Sequence, residues 1–97
     1  MSDDFFALPA FKPDTALLKL KRDLRDLRQL TERGEDFLLK GQEVLSLSIE
    51  GEALHARLAK RPGRSPEWEL RSCRDAAQVR SLLDETKRRL ARWTDDS

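Results

Sequence analysis

Leucines recur at alternating three- and four-residue steps from Leu17 through Leu20, Leu24 and Leu27 to Leu30, with Thr31 able to take the last place. That spacing brings side chains back to one face of an α-helix at every turn. Pro13 and Asp14 suit a helix start and Gly34 a helix stop, so the pattern predicts a helix over residues 14–33. The same run also fits a coiled-coil seam. Such seams usually need three or more heptads, however, and packing of the leucine face on the chain's own sheet is the simpler expectation.

After Gly34 the period shortens. Phe37-Leu38-Leu39 and the alternating Val44-Leu45-Ser46-Leu47-Ser48-Ile49 flank Lys40-Gly41-Gln42-Glu43, which reads as a β-hairpin with Leu45, Leu47 and Ile49 on one face. Residues 51–61 fit two readings. Leu54, Ala56 and Leu58 alternate as a strand does, while Leu54 and Leu58 also sit one helical turn apart and the alanines favour helix. A turn at Gly51 followed by a third strand is the preferred reading.

Pro62-Gly63-Arg64-Ser65-Pro66 is the strongest loop signal in the chain, and Trp68-Glu69-Leu70-Arg71-Ser72 alternates as a last strand. A final helix is predicted from about Asp75, which can cap it with Gln78 as reciprocal partner. Val79, Leu82, Leu83, Thr86, Leu90 and Trp93 then share a face. Arg80, Asp84 and Arg88, and Glu85 and Arg89, pair opposite charges at four-residue spacing on the other side, so the run KRRLAR reads as an exposed helix end rather than a localisation signal.

Residues 1–13 form an extended apolar arm in this reading. Pro9 and Pro13 deny the backbone a regular ladder, and Phe5, Phe6 and Phe11 are expected to lie across the body of the domain, the alternative being a partner-binding peptide. Residues 14–97 form a single domain ending in a short disordered tail. The fold class is α+β: a long N-terminal helix, a central antiparallel sheet of three to four short strands and a C-terminal helix, with both helices on one sheet face and the other face exposed or used for dimerisation.

Composition narrows this further. Ninety-seven residues make one domain with one modest core, mostly aliphatic because aromatic residues are 6% of the chain. Charged residues are 38%, yet they balance to +1, so no global field draws the chain to nucleic acid or anionic lipid. The charge lies instead in blocks, an acidic stretch over residues 34–56 preceding a basic one over 57–74. Cys73 is the only cysteine, no apolar run reaches the roughly 20 residues of a membrane span, and FFALPAF is too short and proline-broken for a signal segment. A soluble protein of the reducing cytoplasm, without membrane contact, is expected.

Catalytic chemistry is thinly represented. His55 is the only histidine and neither it nor Cys73 has a second ligand-type residue at metal spacing, so no metal site, cofactor or catalytic residue is assigned. A Cys/His pair made by the fold remains conceivable. Cys73, between Ser72 and Arg74 and just ahead of a helix start, has neighbours that can lower a thiol pKa, although a buried inert cysteine is the simpler reading. The four glycines are isolated turn residues rather than a phosphate loop.

Two basic surfaces remain. Lys60, Arg61, Arg64, Arg71 and Arg74 surround Trp68, combining guanidinium forks for an acidic ligand with an indole able to stack. Arg61 and Arg64, in the proline-bracketed loop, are the charges expected to be most free. Lys21, Arg25 and Arg28 form a secondary stripe beside the leucine face of the first helix, where their stems can cover the core edge. The expected function is a non-enzymatic protein-binding or adaptor module, monomeric or weakly homodimeric; the alternative is a nucleic-acid-binding module using the Arg-rich Pro-Gly loop and Trp68.

Overall fold

In the computed structural model, residues 11–94 are described; of the arm expected over residues 1–13, Phe11 packs against the core and Pro13 already opens the first helix, while the expectations for residues 1–10 and for the tail beyond Thr94 lie outside them. The order is α1 (Pro13–Arg25), β1 (Leu30–Arg33), β2 (Asp36–Leu39), β3 (Gln42–Glu50), β4 (Ala53–Ala59), β5 (Trp68–Cys73) and α2 (Ala76–Thr94). The α+β class is the expected one, with helices at both ends of the described chain. The sheet has five strands rather than three to four, all antiparallel and in the order β1-β2-β3-β4-β5.

The extra strand comes from the first helix, which ends at Arg25 rather than at residue 33. Asp26 closes it, its N–H donating to the Arg22 carbonyl, and single turns in which the Leu27 N–H donates to the Leu24 carbonyl and the Leu30 N–H to the Leu27 carbonyl carry the chain into β1. Leu30 keeps its place in the core but as the first strand residue, opposite Leu39. Gly34 at φ 64° does not stop a helix; with Glu35 it makes the two-residue turn between β1 and β2, a conformation that favours glycine. Lys40-Gly41, both at positive φ, and Gly51-Glu52 repeat the device between β2 and β3 and between β3 and β4.

The register confirms the preferred strand reading of residues 51–61: Leu45 opposes Leu58, Leu47 opposes Ala56 and Ile49 opposes Leu54. These side chains share the helix-covered face with Phe37 and Cys73. Against them α1 lays Leu20 and Leu24, and α2 lays Leu82, Thr86 and Leu90, so one core joins all the elements. Thr86 is the one buried polar residue among those described, and its Oγ1 donates to the Leu82 carbonyl at 2.8 Å. A bulge in the β2–β3 ladder, between Phe37 and Leu38, lets both Val44 and Leu45 be buried.

α2 begins as anticipated, with one difference. The Gln78 N–H donates to Asp75 Oδ1 at 2.8 Å, but Gln78 Oε1 accepts from the N–H of Arg74, one residue before the cap. Further along, Arg89 ties the helix to the sheet. It donates to Glu85 Oε2 at 2.8 Å, to the Ala59 carbonyl at 3.0 Å and to Glu69, which also accepts from Arg71 at 2.8 Å. Among the described residues no helix is long and apolar enough to cross a membrane.

Candidate binding site

Strand alternation sends Thr31, Arg33, Leu38, Ser46, Ser48, His55, Arg57, Trp68, Leu70 and Ser72 to the sheet face away from both helices, and among the described residues no element covers it. At one end of this face the eight-residue connection between β4 and β5, closed by the Lys60 N–H donating to the Glu67 carbonyl at 2.9 Å, rises beside β2 and β3. It walls a depression of roughly 630 Å³ whose lining includes Arg33, Leu38, Glu43, Arg57, Arg64 and Trp68.

Trp68 is half-buried against the core edge rather than sunk in it. The Arg57 guanidinium lies over its ring, 4.7 Å from the centroid, where the negative π face attracts a cation. Arg57 is also 3.6 Å from Glu43 across the sheet, a partly exposed pair of the kind that contributes about 0–1 kcal/mol. Three arginines therefore meet one carboxylate around an aromatic wall. The arrangement suits a ligand carrying more than one negative charge, which guanidinium forks bind by paired hydrogen bonds.

The expected surface divides. Arg64 and Trp68 belong to the depression, and Lys60 and Arg61 are exposed on the same loop without lining it. Arg71 points to the helix side and is engaged by Glu69, and Arg74 stands at the far end of β5. A basic run along one strand cannot form one patch, because alternate residues face opposite sides. Arg33 and Arg57 take the vacated places. The acidic and basic blocks were visible in the sequence, but the Arg57–Trp68 stack needed the strand register.

The secondary stripe is broken. Lys21 donates to the Gly34 carbonyl at 3.4 Å, Arg25 is held by Glu32 through two hydrogen bonds, one at 3.2 Å, and Arg28 lies beyond the helix end. Lys21 and Arg25 fasten α1 to β1 and the turn after it instead of forming a common surface with Arg28.

His55 and Cys73 face opposite sides of the sheet, so the conceivable pair does not form. Cys73 is buried, as the simpler reading had it, and burial in the core pushes its thiol up rather than down. His55 Nδ1 instead meets Ser72 Oγ at 3.1 Å, and its Nε2 is 3.9 Å from Glu50 Oε1. Serine, imidazole and carboxylate thus follow one another, but as a directly opposed cross-strand pair and a loose, exposed neighbour toward the end of the strands away from the depression. Among the described residues no group of three or more His, Cys, Asp or Glu side chains converges as a metal site would.

Comparison with protein-family models, with curated proteins and with solved structures finds no match to this chain, and the functional reading rests on the geometry of the depression alone.

Proposed function

We propose that the chain is a non-enzymatic protein-binding module whose uncovered sheet face takes an acidic segment of a partner, the carboxylates lying between Arg33, Arg57 and Arg64 with Trp68 as an apolar wall. The observation that carries this reading is the Arg57–Trp68 stack inside the depression. The stacked guanidinium is preorganised, so less side-chain freedom is lost when it binds. The same stack disfavours nucleic acid, because base stacking needs the indole face that Arg57 covers. A reducing compartment such as the cytoplasm suits a protein whose single thiol is held protonated in the core.

NMR titration of the labelled chain with an oligoglutamate peptide tests this. The indole N–H of Trp68 and the backbone amides of Arg33, Arg57 and Arg64 are expected to shift, and Arg57→Ala to weaken binding by about tenfold, the equivalent of roughly 1.4 kcal/mol for a charge-assisted contact. Unmoved signals in the depression would sink the reading. A single-stranded oligonucleotide that shifts the same signals, with affinity falling steeply in salt, would replace it with the nucleic-acid alternative.

A further inference from the structure

β5 is the outer strand of the sheet. Its inner edge pairs with β4, and among the described residues no backbone hydrogen bond reaches its outer edge. The register decides which backbone groups point outward. The Lys60 N–H donates to the Glu67 carbonyl on the same register that sets Ala59 against Trp68 and Leu58 against Glu69. Hydrogen-bonded pairs alternate along an antiparallel ladder, so Glu69, Arg71 and Cys73 turn their N–H and C=O groups toward β4. Trp68, Leu70 and Ser72 turn theirs outward. Leu70, in the middle, also has a 73% exposed side chain.

We propose that this edge is a self-recognition surface: β5 pairs with β5 of a second copy, antiparallel, across a two-fold axis at Leu70. The proposal stands apart from the acidic-ligand reading and uses none of its residues except the Trp68 backbone. With Leu70 opposite Leu70, Trp68 opposes Ser72 of the second copy and the reverse, so every outward group of the three residues meets a partner. The two exposed leucines bury each other on the uncovered face. On the helix side, Glu69 opposes Arg71 of the second copy twice, placing unlike charges across the new ladder.

Other registers lose one of these features. A slip of the pair sum by one sets outward groups against inward ones and makes no ladder. Centring on Glu69 sets carboxylate against carboxylate, and centring on Arg71 sets guanidinium against guanidinium. The opposite sheet edge, β1, has four residues against six in β5 and offers a shorter template. The product is a closed, isologous pair in which two five-stranded sheets continue as one.

Sedimentation analysis over a concentration series, combined with amide hydrogen exchange, tests the pairing. The interface is small, so the mass is expected to rise from 11.2 kDa toward twice that value with concentration. The amides of Trp68, Leu70 and Ser72 should gain protection in step, while those of Glu69 and Arg71, bonded to β4, are protected throughout. Leu70→Pro removes only an outward N–H and is expected to remain folded and monomeric. Leu70→Lys keeps the N–H and the fold, and should weaken association at least tenfold, which decides the matter if the proline variant fails to fold. A wild-type chain that stays at the monomer mass at its highest concentration, with a fast-exchanging Leu70 amide, overturns the proposal. So does a dimer that both folded variants retain. Arg33→Ala, on β1 at the opposite edge of the sheet, leaves the mass series unchanged while weakening peptide binding, separating this result from the ligand titration.

Discussion

At the scale of single residues, backbone conformation and burial give opposite answers for substitutions that look alike. An added Cβ meets nothing at Gly51 or Gly63, but Gly51 sits at φ 61° in the turn between β3 and β4 while Gly63 is not in the left-handed region. Gly51→Ala should cost about 1–2 kcal/mol of stability from backbone strain alone. Gly63→Ala should be neutral or stabilise by about 0.4–1 kcal/mol by restricting the unfolded chain. Urea midpoints of the two variants test this, and an equal loss in both would refute it. Among the leucines, Leu54 is fully buried and Leu70 largely exposed. Leu54→Ala is expected to cost about 2–5 kcal/mol through the cavity it leaves. At this scale the sequence was readable where burial follows alternation, as at Leu45, Leu47 and Leu58; it was silent on Arg57, whose role depends on a tryptophan in the next strand.

Between elements, the join that matters most is Arg89, which reaches from α2 to Glu69 of β5 and to the Ala59 carbonyl at the end of β4. Hydrogen bonds from Arg89 and then Arg88 pull the Glu85 carboxyl from its ordinary 4.5 down to about 2, and those from Arg89 and then Arg71 lower that of Glu69. Both carboxylates are better accommodated charged in the folded state. Their contribution is therefore complete above the unfolded value near 4.5 and is lost as pH falls toward 2. Arg89→Met is expected to cost roughly 1–3 kcal/mol at neutral pH and to flatten the stability profile over that acid window. Thermal unfolding of both proteins from pH 6 to pH 2.5 checks it, and parallel profiles would contradict it. The Glu85–Arg89 spacing was legible as a helical pair, whereas the contact with Glu69 was not, because it joins groups far apart in sequence. The first helix shows the converse error. Its leucine period runs on through Leu27, which packs against the core, and Leu30, which is buried in it, after the helix has ended, so periodicity alone cannot mark the boundary.

Across the whole molecule, one core receives side chains from both helices and every strand. Unfolding should accordingly be a single cooperative event. Fluorescence of Trp68 in the sheet and Trp93 in α2, separated by single Trp→Phe variants, is expected to report the same denaturant midpoint as far-ultraviolet circular dichroism within each variant. Separate midpoints would show that sheet and helices melt independently. Core and surface are also divided by face: the depression at Arg57 and the outer edge of β5 lie outside the helix-covered packing, so Leu70→Lys should change association with stability altered by no more than about 0.5 kcal/mol, and Arg57→Ala, which also loses the Trp68 stack and the Glu43 pair, should change binding at a cost of about 1 kcal/mol.

Local order was already written in the chain: the two amphipathic helical patterns, the alternating runs, the glycine turns and the proline-bracketed loop each depend on residues close in sequence, and together they imply α+β. Tertiary structure alone decided where the first helix yields to a strand, which arginines share a face, and that Arg57 rather than Arg71 stands at Trp68. The reason is that these outcomes are set by cross-strand register and by competition for one core, and both are interactions between segments that local patterns do not encode.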